Sequence, residues 1–267
     1  MNATTSAGPR LVWELQGSGP PVALVMGLGM PGRIWAPVRA GLVGSHAVLT
    51  YDHRGIGGSE LPERPYRMAD LGDDLARVLD AAGWESAHVV GVSMGGMAAQ
   101  EFALRHRGRA RSLTLIATHS GGRTAPIPGP RGVVRVLQSR VGSREARTRA
   151  FLRLLYPRGS GVTQSDAVDN MVAGAFDPRH QAAVRLQLRA VLGHRTTERL
   201  AELEGLPTLV VRPGRDLLCR PGHSDRLARA IPGAVLERFD DAGHGIVAQS
   251  SERLAASIAA HIQRAGG

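Results

Sequence analysis

The sequence predicts an α/β fold in which a mostly parallel sheet is flanked by helices and carries one helical insertion. Short runs of β-forming residues alternate with segments whose apolar residues recur at helical spacing, as expected when helices connect parallel strands. Several of these runs are almost entirely apolar, which indicates strands covered on both faces. The alternation is interrupted once, from about residue 120 to residue 205.

The individual strands are predicted where short apolar runs are bounded by turn residues. The flanking helices are predicted from the segments MADLGDDLARVLDAAGW, MGGMAAQEFALRHR, GHSDRLARAI and SERLAASIAAHI, in which apolar residues recur at helical spacing. The seven candidate strands are residues 11–15, 22–26, 47–51, 87–92, 112–117, 208–212 and 234–239.

The interrupted stretch, residues 120–205, is predicted to be a helical cap inserted into a core formed by residues 1–119 and 206–267. It opens with a loop rich in proline and glycine, GGRTAPIPGPRG, and continues as helical patterns without a convincing strand. Within it, Thr163 with Asp166 resembles a capping box, and Asp177 followed by Pro178 is a typical helix start.

Composition limits the class of protein before any motif is considered. The chain has 267 residues, of which 43% are apolar, enough for a substantial core. We expect a cytoplasmic protein, because the sequence has neither a secretory signal nor an apolar run long enough to span a membrane. A single cysteine, Cys219, excludes an intramolecular disulfide and a zinc site built on paired cysteines, and we expect no bound metal.

The formal net charge of +10 does not by itself indicate a nucleic-acid-binding protein. All 33 residues counted as lysine or arginine are arginine, and they are spread along the chain without a basic arm. Aromatic residues make up only 4% of the chain, so there is no series of stacking platforms of the kind that single-strand binders use. We therefore expect a solvated basic surface and no nucleic-acid partner.

One early motif points to a nucleotide enzyme. The run VALVMGLGMPG places Gly27, Gly29 and Gly32 in a G-x-G-x-x-G pattern directly after a predicted strand. A second apolar run, HAVLTYD, ends in Asp52, 20 residues after Gly32, which is about where dinucleotide-binding folds place a ribose-binding acid. A nucleotide interpretation gives no role to three residues farther along the chain, Ser93, Asp216 and His244.

The strongest chemical signal is a G-x-S-x-G motif formed by Gly91, Ser93 and Gly95. It lies between an apolar β run and an amphipathic helix, the context of a nucleophile elbow. A serine on so sharp a turn adopts a strained backbone, which requires neighbours without bulky side chains. At a helix N-terminus its hydroxyl also lies where developing negative charge is stabilised.

A serine nucleophile needs a base and an acid that orients the base. His244 lies in a glycine-flanked loop after the last predicted strand, and Asp216 follows the strand before it. The order Ser93, Asp216, His244 is the chain order of this architecture, and all three residues leave the same end of the sheet. Asp240 and Asp241 are alternative acids, although aspartates so close to the histidine more often bond to the local backbone.

With these residues the chain resembles the α/β-hydrolase superfamily over almost its whole length. MGLGMPG is similar to the oxyanion loop of that family, with Met26 where histidine is usual, and YDHRGIGGSE resembles its D-x-R-G-x-G-x-S block. The matching residues of that block are Asp52, Arg54, Gly55, Gly57 and Ser59. The resemblance implies that the N–H groups of Leu28 and Met94 form the oxyanion hole and that Asp52 fixes a turn.

The resemblance also narrows the expected reaction. Haloalkane dehalogenases and epoxide hydrolases of this fold carry aspartate where this chain has Ser93. We therefore expect a cofactor-free hydrolase acting on a hydrophobic ester, thioester or lactone through an acyl-enzyme. A C–C bond hydrolase or perhydrolase with the same triad remains an alternative, as does a ligand-binding receptor with little turnover. The expected pocket residues are Met26, Met30, Trp35, Leu137, Phe151, Met171 and Phe176.

Polar side chains near this pocket are harder to assign from sequence. Four cap arginines could hold a substrate carboxylate, although such residues are more often solvated. His119 could reach the pocket but has no partner visible in the sequence, and Cys219 is better explained as a small packed residue than as a second nucleophile. The four arginines are Arg123, Arg131, Arg135 and Arg153.

Overall fold

A computed structural model describes residues 2–122, 125, 127–160 and 178–266 of the chain. Within these residues the sheet has eight strands in the order β1-β2-β4-β3-β5-β6-β7-β8, with β1 and β2 antiparallel to their neighbours and the rest parallel. The strands are β1 (Asn2–Thr4), β2 (Val12–Gln16), β3 (Pro21–Val25), β4 (Ala47–Tyr51), β5 (Ala87–Val92), β6 (Ala110–Ile116), β7 (Thr208–Pro213) and β8 (Val235–Phe239).

The helices lie between these strands, as the alternating pattern predicts. In the described part of the chain, two short 3₁₀ segments, Gly32–Trp35 and Thr197–Leu203, accompany them. The α-helices are α1 (Ala36–Ala40), α2 (Met68–Ala81), α3 (Met94–Arg105), α4 (Pro130–Gln138), α5 (Arg144–Leu155), α6 (Pro178–Gly193), α7 (Pro221–Ala230), α8 (Ile246–Gln249) and α9 (Ser251–Arg264). None of the helices described is long and apolar enough to cross a membrane.

The sheet is covered by helices on both faces. Alternate residues of β3 enter two different clusters: Ala23 and Val25 pack with α2 and α3, whereas Val22 and Leu24 pack with α1 and α9. This period of two follows from the pleat of a strand, and burial on both sides explains the nearly continuous apolar runs. The predicted α/β fold class is therefore confirmed.

All seven predicted strands are present with bounds that differ by at most two residues. The sequence did not predict β1, which pairs with β2 at the edge of the sheet. This strand has only three residues and is too short to show an alternating pattern.

The region between β6 and β7 contains α4, α5, α6 and the 3₁₀ segment Thr197–Leu203. The 3₁₀ segment packs on the core, because Leu200 and Leu203 are buried in the same cluster as α3. A cap residue was expected to lie over the site instead. Helix α6 is described from Pro178 onward, and the predicted capping residues Thr163, Asp166 and Asp177 lie outside the described residues.

Candidate active site

Ser93 lies at the junction of β5 and α3 with φ 55° and ψ −122°, a conformation that non-glycine residues rarely adopt. The flanking glycines are required by space: a Cβ on Gly91 would lie 2.4 Å from the carbonyl oxygen of Gly95, and a Cβ on Gly95 would lie 2.1 Å from that of Val25. The strained turn is held in place because the Ser93 carbonyl accepts a 2.7 Å hydrogen bond from the Thr118 hydroxyl.

His244 connects Ser93 to Asp216. Its Nε2 lies 3.0 Å from the Ser93 Oγ, and its Nδ1 lies 2.7 Å from Oδ2 of Asp216. These are hydrogen-bond distances of a nucleophile, a base and an orienting acid. The structure thus brings together the three residues that the sequence predicts as a triad, contributed by three separate loops at the carboxyl ends of the strands.

The carboxylate of Asp216 is fixed independently of the histidine. Its second oxygen, Oδ1, accepts hydrogen bonds of 2.8 Å from the backbone N–H groups of Leu218 and Cys219. Of the alternative acids, Asp240 faces elsewhere, because its side chain is 76% exposed and pairs with Arg212. Asp241 is exposed as well. The side chain that bonds to Nδ1 of His244 is that of Asp216.

The loop after β3 lies directly against the nucleophile. A Cβ on Gly27 would lie 3.2 Å from Cβ of Ser93, so glycine at this position allows the close approach. Among the described residues, neither the Leu28 nor the Met94 amide has a hydrogen-bond acceptor. Both residues line the cavity that contains Ser93, which leaves their N–H groups available to an oxyanion.

A cavity of about 830 Å³ surrounds the nucleophile and the base. Its wall is mostly apolar, with Met26, Met30 and Phe151 among the lining residues, as the sequence predicts. Such a cavity is large enough for a drug-sized organic molecule.

The comparisons with known proteins agree with this architecture. A family model described as alpha/beta hydrolase fold matches residues 20–250. The chain belongs to the α/β-hydrolase family. It is 32% identical over 241 residues to the protein named "Putative carbamate hydrolase RutD" of Azorhizobium caulinodans, covering 89% of each chain.

Solved structures of α/β-hydrolases superpose over nearly the whole chain. A hydrolase from Pseudomonas aeruginosa PA01 gives a TM-score of 0.80 at 26% identity, with 98% of this chain and 97% of that chain covered. The enol-lactonase from Burkholderia xenovorans LB400 gives a TM-score of 0.82 at 24% identity, with coverage of 98% and 100%. These findings confirm the family inferred from the sequence motifs.

In this α/β-hydrolase the loop after β3 is held from both sides, and position 26 carries methionine. The Nε2 of His53, in the YDHRGIGGSE segment, donates a 2.9 Å hydrogen bond to the carbonyl oxygen of Met26. On the other side of the loop, the Gly29 amide donates a 2.7 Å hydrogen bond to Oε1 of Gln187 on α6. Sequence motifs alone did not reveal either contact.

Two expected pocket residues do not line the cavity. Trp35 is fully buried in the core cluster beside α1 and α9, and Leu137 is 60% exposed on α4. On α4, the neighbouring residue Val136 lines the cavity in place of Leu137. The prediction for this helix was therefore wrong by one residue. Met171 and Phe176 lie outside the described residues.

The expected carboxylate-binding arginines also lie elsewhere. Arg131, Arg135 and Arg153 line a separate cleft of about 900 Å³ beside Asp216 and Leu217, and Arg123 lies outside the described residues. The arginines that line the catalytic cavity are Arg140, Arg147 and Arg185. Helix α6 contributes a further row of lining residues at a spacing of four, a signal that is present in the sequence. These residues are His180, Val184 and Leu188.

Cys219 lines the cavity but is not a competing nucleophile. Burial, followed by the charge of Asp216, raises the pKa of its thiol well above the usual value. Because the thiolate is the nucleophilic form, Cys219 acts as a packed apolar residue, as the sequence suggested.

Proposed function

We propose that the protein is a cofactor-free serine hydrolase that cleaves a hydrophobic carboxylic ester, thioester or lactone. The observation that carries this proposal is the continuous hydrogen-bond chain from Asp216 through His244 to Ser93, which ends in a mostly apolar cavity. The Ser93 hydroxyl would be inert without such a base.

The geometry suits a two-step acyl transfer. Nε2 of His244 takes the Ser93 proton as Oγ attacks the substrate carbonyl, and the N–H groups of Leu28 and Met94 stabilise the oxyanion. Collapse of the intermediate breaks the bond to the leaving group, which receives the proton from His244. Water then loses a proton to His244 and attacks the acyl-enzyme, releasing the acid and restoring Ser93.

A second candidate reaction comes from the relatives. The protein from Azorhizobium caulinodans is named a carbamate hydrolase, and a carbamate carbonyl can be attacked by the same triad. The catalytic cavity favours a larger apolar substrate, because a space of about 830 Å³ lined by methionine and phenylalanine side chains exceeds what a small carbamate fills.

Two measurements test the proposal. A fluorophosphonate should add covalently to Ser93, detected by intact mass and peptide mapping, and Ser93→Ala should abolish the adduct. A panel of esters, thioesters, lactones and carbamates should then show steady-state turnover that rises with acyl length. Tight binding without turnover would favour a receptor, and labelling that persists in Ser93→Ala would refute the assignment of the nucleophile.

A further inference from the structure

His119 lines the catalytic cavity yet takes no part in the triad. It follows β6, lies in the same cavity wall as Ser93 and is only 5% exposed. Its ring packs against two further buried histidines, with ring centroids 6.2 Å from His194 and 5.6 Å from His223. Its position is fixed through the backbone as well, because Nε2 of the buried Gln100 donates a 3.1 Å hydrogen bond to the His119 carbonyl oxygen.

A backbone contact sets the tautomer of this ring. The amide of Gly121 donates a 3.0 Å hydrogen bond to Nδ1 of His119. Because a backbone N–H can only donate, Nδ1 must be the unprotonated nitrogen, and the ring proton resides on Nε2. Gly121 has φ +91°, and a Cβ there would lie 2.0 Å from the carbonyl oxygen of His194, so the residue that makes this contact must be glycine.

The ring is also uncharged at ordinary pH. Burial, followed by the neighbouring His194 and His223, lowers the pKa of His119 to about 3. The neutral ring therefore offers a single N–H donor, Nε2, on a residue that lines a mostly apolar cavity. Among the described residues no acceptor is paired with Nε2, which leaves this donor to a water or a ligand in the cavity.

We propose that the Nε2–H of His119 is a specificity-determining donor that binds a second, uncharged acceptor oxygen of the substrate, such as a ketone, ether or hydroxyl oxygen. The inference rests on the proposed function and refines its substrate class. A carboxylate is a poorer match for this position, because a neutral N–H binds it less strongly than the guanidinium groups of the arginines that line the same cavity. A buried donor of this kind selects against analogues that lack the acceptor, since it is then left unpaired.

The proposal is tested with a series of esters in which an ether oxygen replaces one CH₂ group at a time. One arm uses p-nitrophenyl heptanoate and analogues in which a single chain CH₂ at position 3, 4 or 5 is replaced by oxygen. The second arm compares pentyl and 2-ethoxyethyl octanoate, which move the oxygen to the alcohol side. Each ester is measured with wild type, His119→Phe, which keeps a ring without the donor, and His119→Gln, which restores an N–H at similar reach.

The expected result is a preferred oxygen position in the wild type. At that position His119→Phe should lose about tenfold in kcat/KM, the scale of one neutral hydrogen bond, while the all-carbon ester changes less than twofold. His119→Gln should recover much of the loss. His223→Phe is the matched control, because His223 packs on the same ring but does not line the cavity, and it should leave the discrimination unchanged.

Equal losses on the oxygen-containing and all-carbon esters would overturn the proposal and assign His119 a structural role. Absence of any preferred oxygen position in the wild type would also overturn it, whether or not the variants fold. Failure of the proposed function is recognised separately, because Ser93 would then not be labelled by a fluorophosphonate in wild type. Equal labelling rates in wild type and His119→Phe, with similar melting temperatures, establish that the variant retains the nucleophile and its base.

Discussion

The backbone N–H of Gly29 donates a 2.7 Å hydrogen bond to Oε1 of Gln187, which ties the loop after β3 to helix α6. Gln187 is fully buried, and Gly29 has φ +72°, so both ends of this bond are confined. The loop that presents the Leu28 amide is therefore positioned partly by the inserted region, so α6 both holds this loop and lines the cavity.

Replacing Gln187 by methionine should slow the acylation step. The change keeps the volume but leaves the Gly29 amide unpaired, a cost of about 1–3 kcal/mol that loosens the loop beside Leu28. We expect kcat to fall about tenfold with little change in KM, and fluorophosphonate labelling of Ser93 to slow in parallel.

Steady-state kinetics, labelling rates and melting temperatures measure these effects. Gln263→Met, at an exposed position on α9, is the control and should match wild type. Unchanged kcat in Gln187→Met would show that the loop holds its geometry without α6.

Asp216→Asn should inactivate the enzyme through the histidine tautomer. The Asn oxygen can keep the two backbone hydrogen bonds from Leu218 and Cys219, which turns its NH₂ toward Nδ1 of His244. Nδ1 then becomes an acceptor, the proton moves to Nε2, and the ring can no longer take the Ser93 proton. We expect a loss of about 10³-fold or more in kcat, as in other triads.

The matched control for this change is Asp240→Asn, which alters an exposed aspartate of the adjacent loop and should leave kcat near wild type. His244→Ala should be as damaging as Asp216→Asn. Near-normal turnover in Asp216→Asn, with a native circular dichroism spectrum, would transfer the orienting role to another acid, and Asp241 would be tested next.

The buried histidines predict how stability depends on pH. Desolvation is the largest cause that lowers the pKa values of His88, His194 and His223 to about 4 and of His119 to about 3. The folded state therefore binds fewer protons than the unfolded state, in which the pKa is about 6.5. Their contribution to the free energy of unfolding is complete above about pH 6.5 and is lost as pH falls toward 4.

Urea unfolding at pH 7, 6 and 5 measures this dependence. Each such histidine adds up to about 1.4 kcal/mol per pH unit to the slope of the free energy of unfolding against pH, which corresponds to one proton. His119→Phe should reduce the slope by up to this amount. Glu14 and Asp73, whose pKa values are lowered by pairing with arginine, lose their contributions only at lower pH. A free energy of unfolding that stays constant between pH 4.5 and 6.5 would contradict the assignment of neutral buried histidines.

Sequence reasoning succeeded where a structural requirement is local. The elbow glycines, the strand bounds and the order of Ser93, Asp216 and His244 follow from short-range sterics and from the fact that parallel strands present their ends at one edge. It failed for Trp35 and Leu137, because which face of a helix or turn meets the cavity depends on packing between distant segments. The contact of Gln187 could not be predicted for the same reason, because its partner Gly29 lies in a distant segment. The contact of His119 with the Gly121 amide is local, but it depends on a loop conformation that the residue types do not specify.

The dinucleotide-like pattern shows how one local geometry can imitate another. Asp52 directly follows β4, which runs parallel to β3, and its Oδ1 accepts a 2.7 Å hydrogen bond from the Gly32 amide. The spacing of 20 residues thus arises because the acid fixes the neighbouring turn, as the family resemblance implied. A Cβ on Gly32 would lie 2.7 Å from the Tyr51 carbonyl oxygen, so this glycine serves packing between the two strand ends.

Nucleotide binding is therefore expected to be absent, and a melting experiment decides it. A Cβ on Gly29 would already lie 3.0 Å from Val184 of α6, so α6 packs closely against the loop that a pyrophosphate would have to approach. A dinucleotide at about 100 times its Kd would add about 2.7 kcal/mol of stability and raise the melting temperature of a chain of this size by several degrees. We expect no such shift with NAD(H) or NADP(H) at millimolar concentration. A concentration-dependent rise that survives Ser93→Ala but disappears in Gly29→Val would restore the nucleotide interpretation of the loop, because only that substitution closes the backbone approach while leaving the nucleophile site intact.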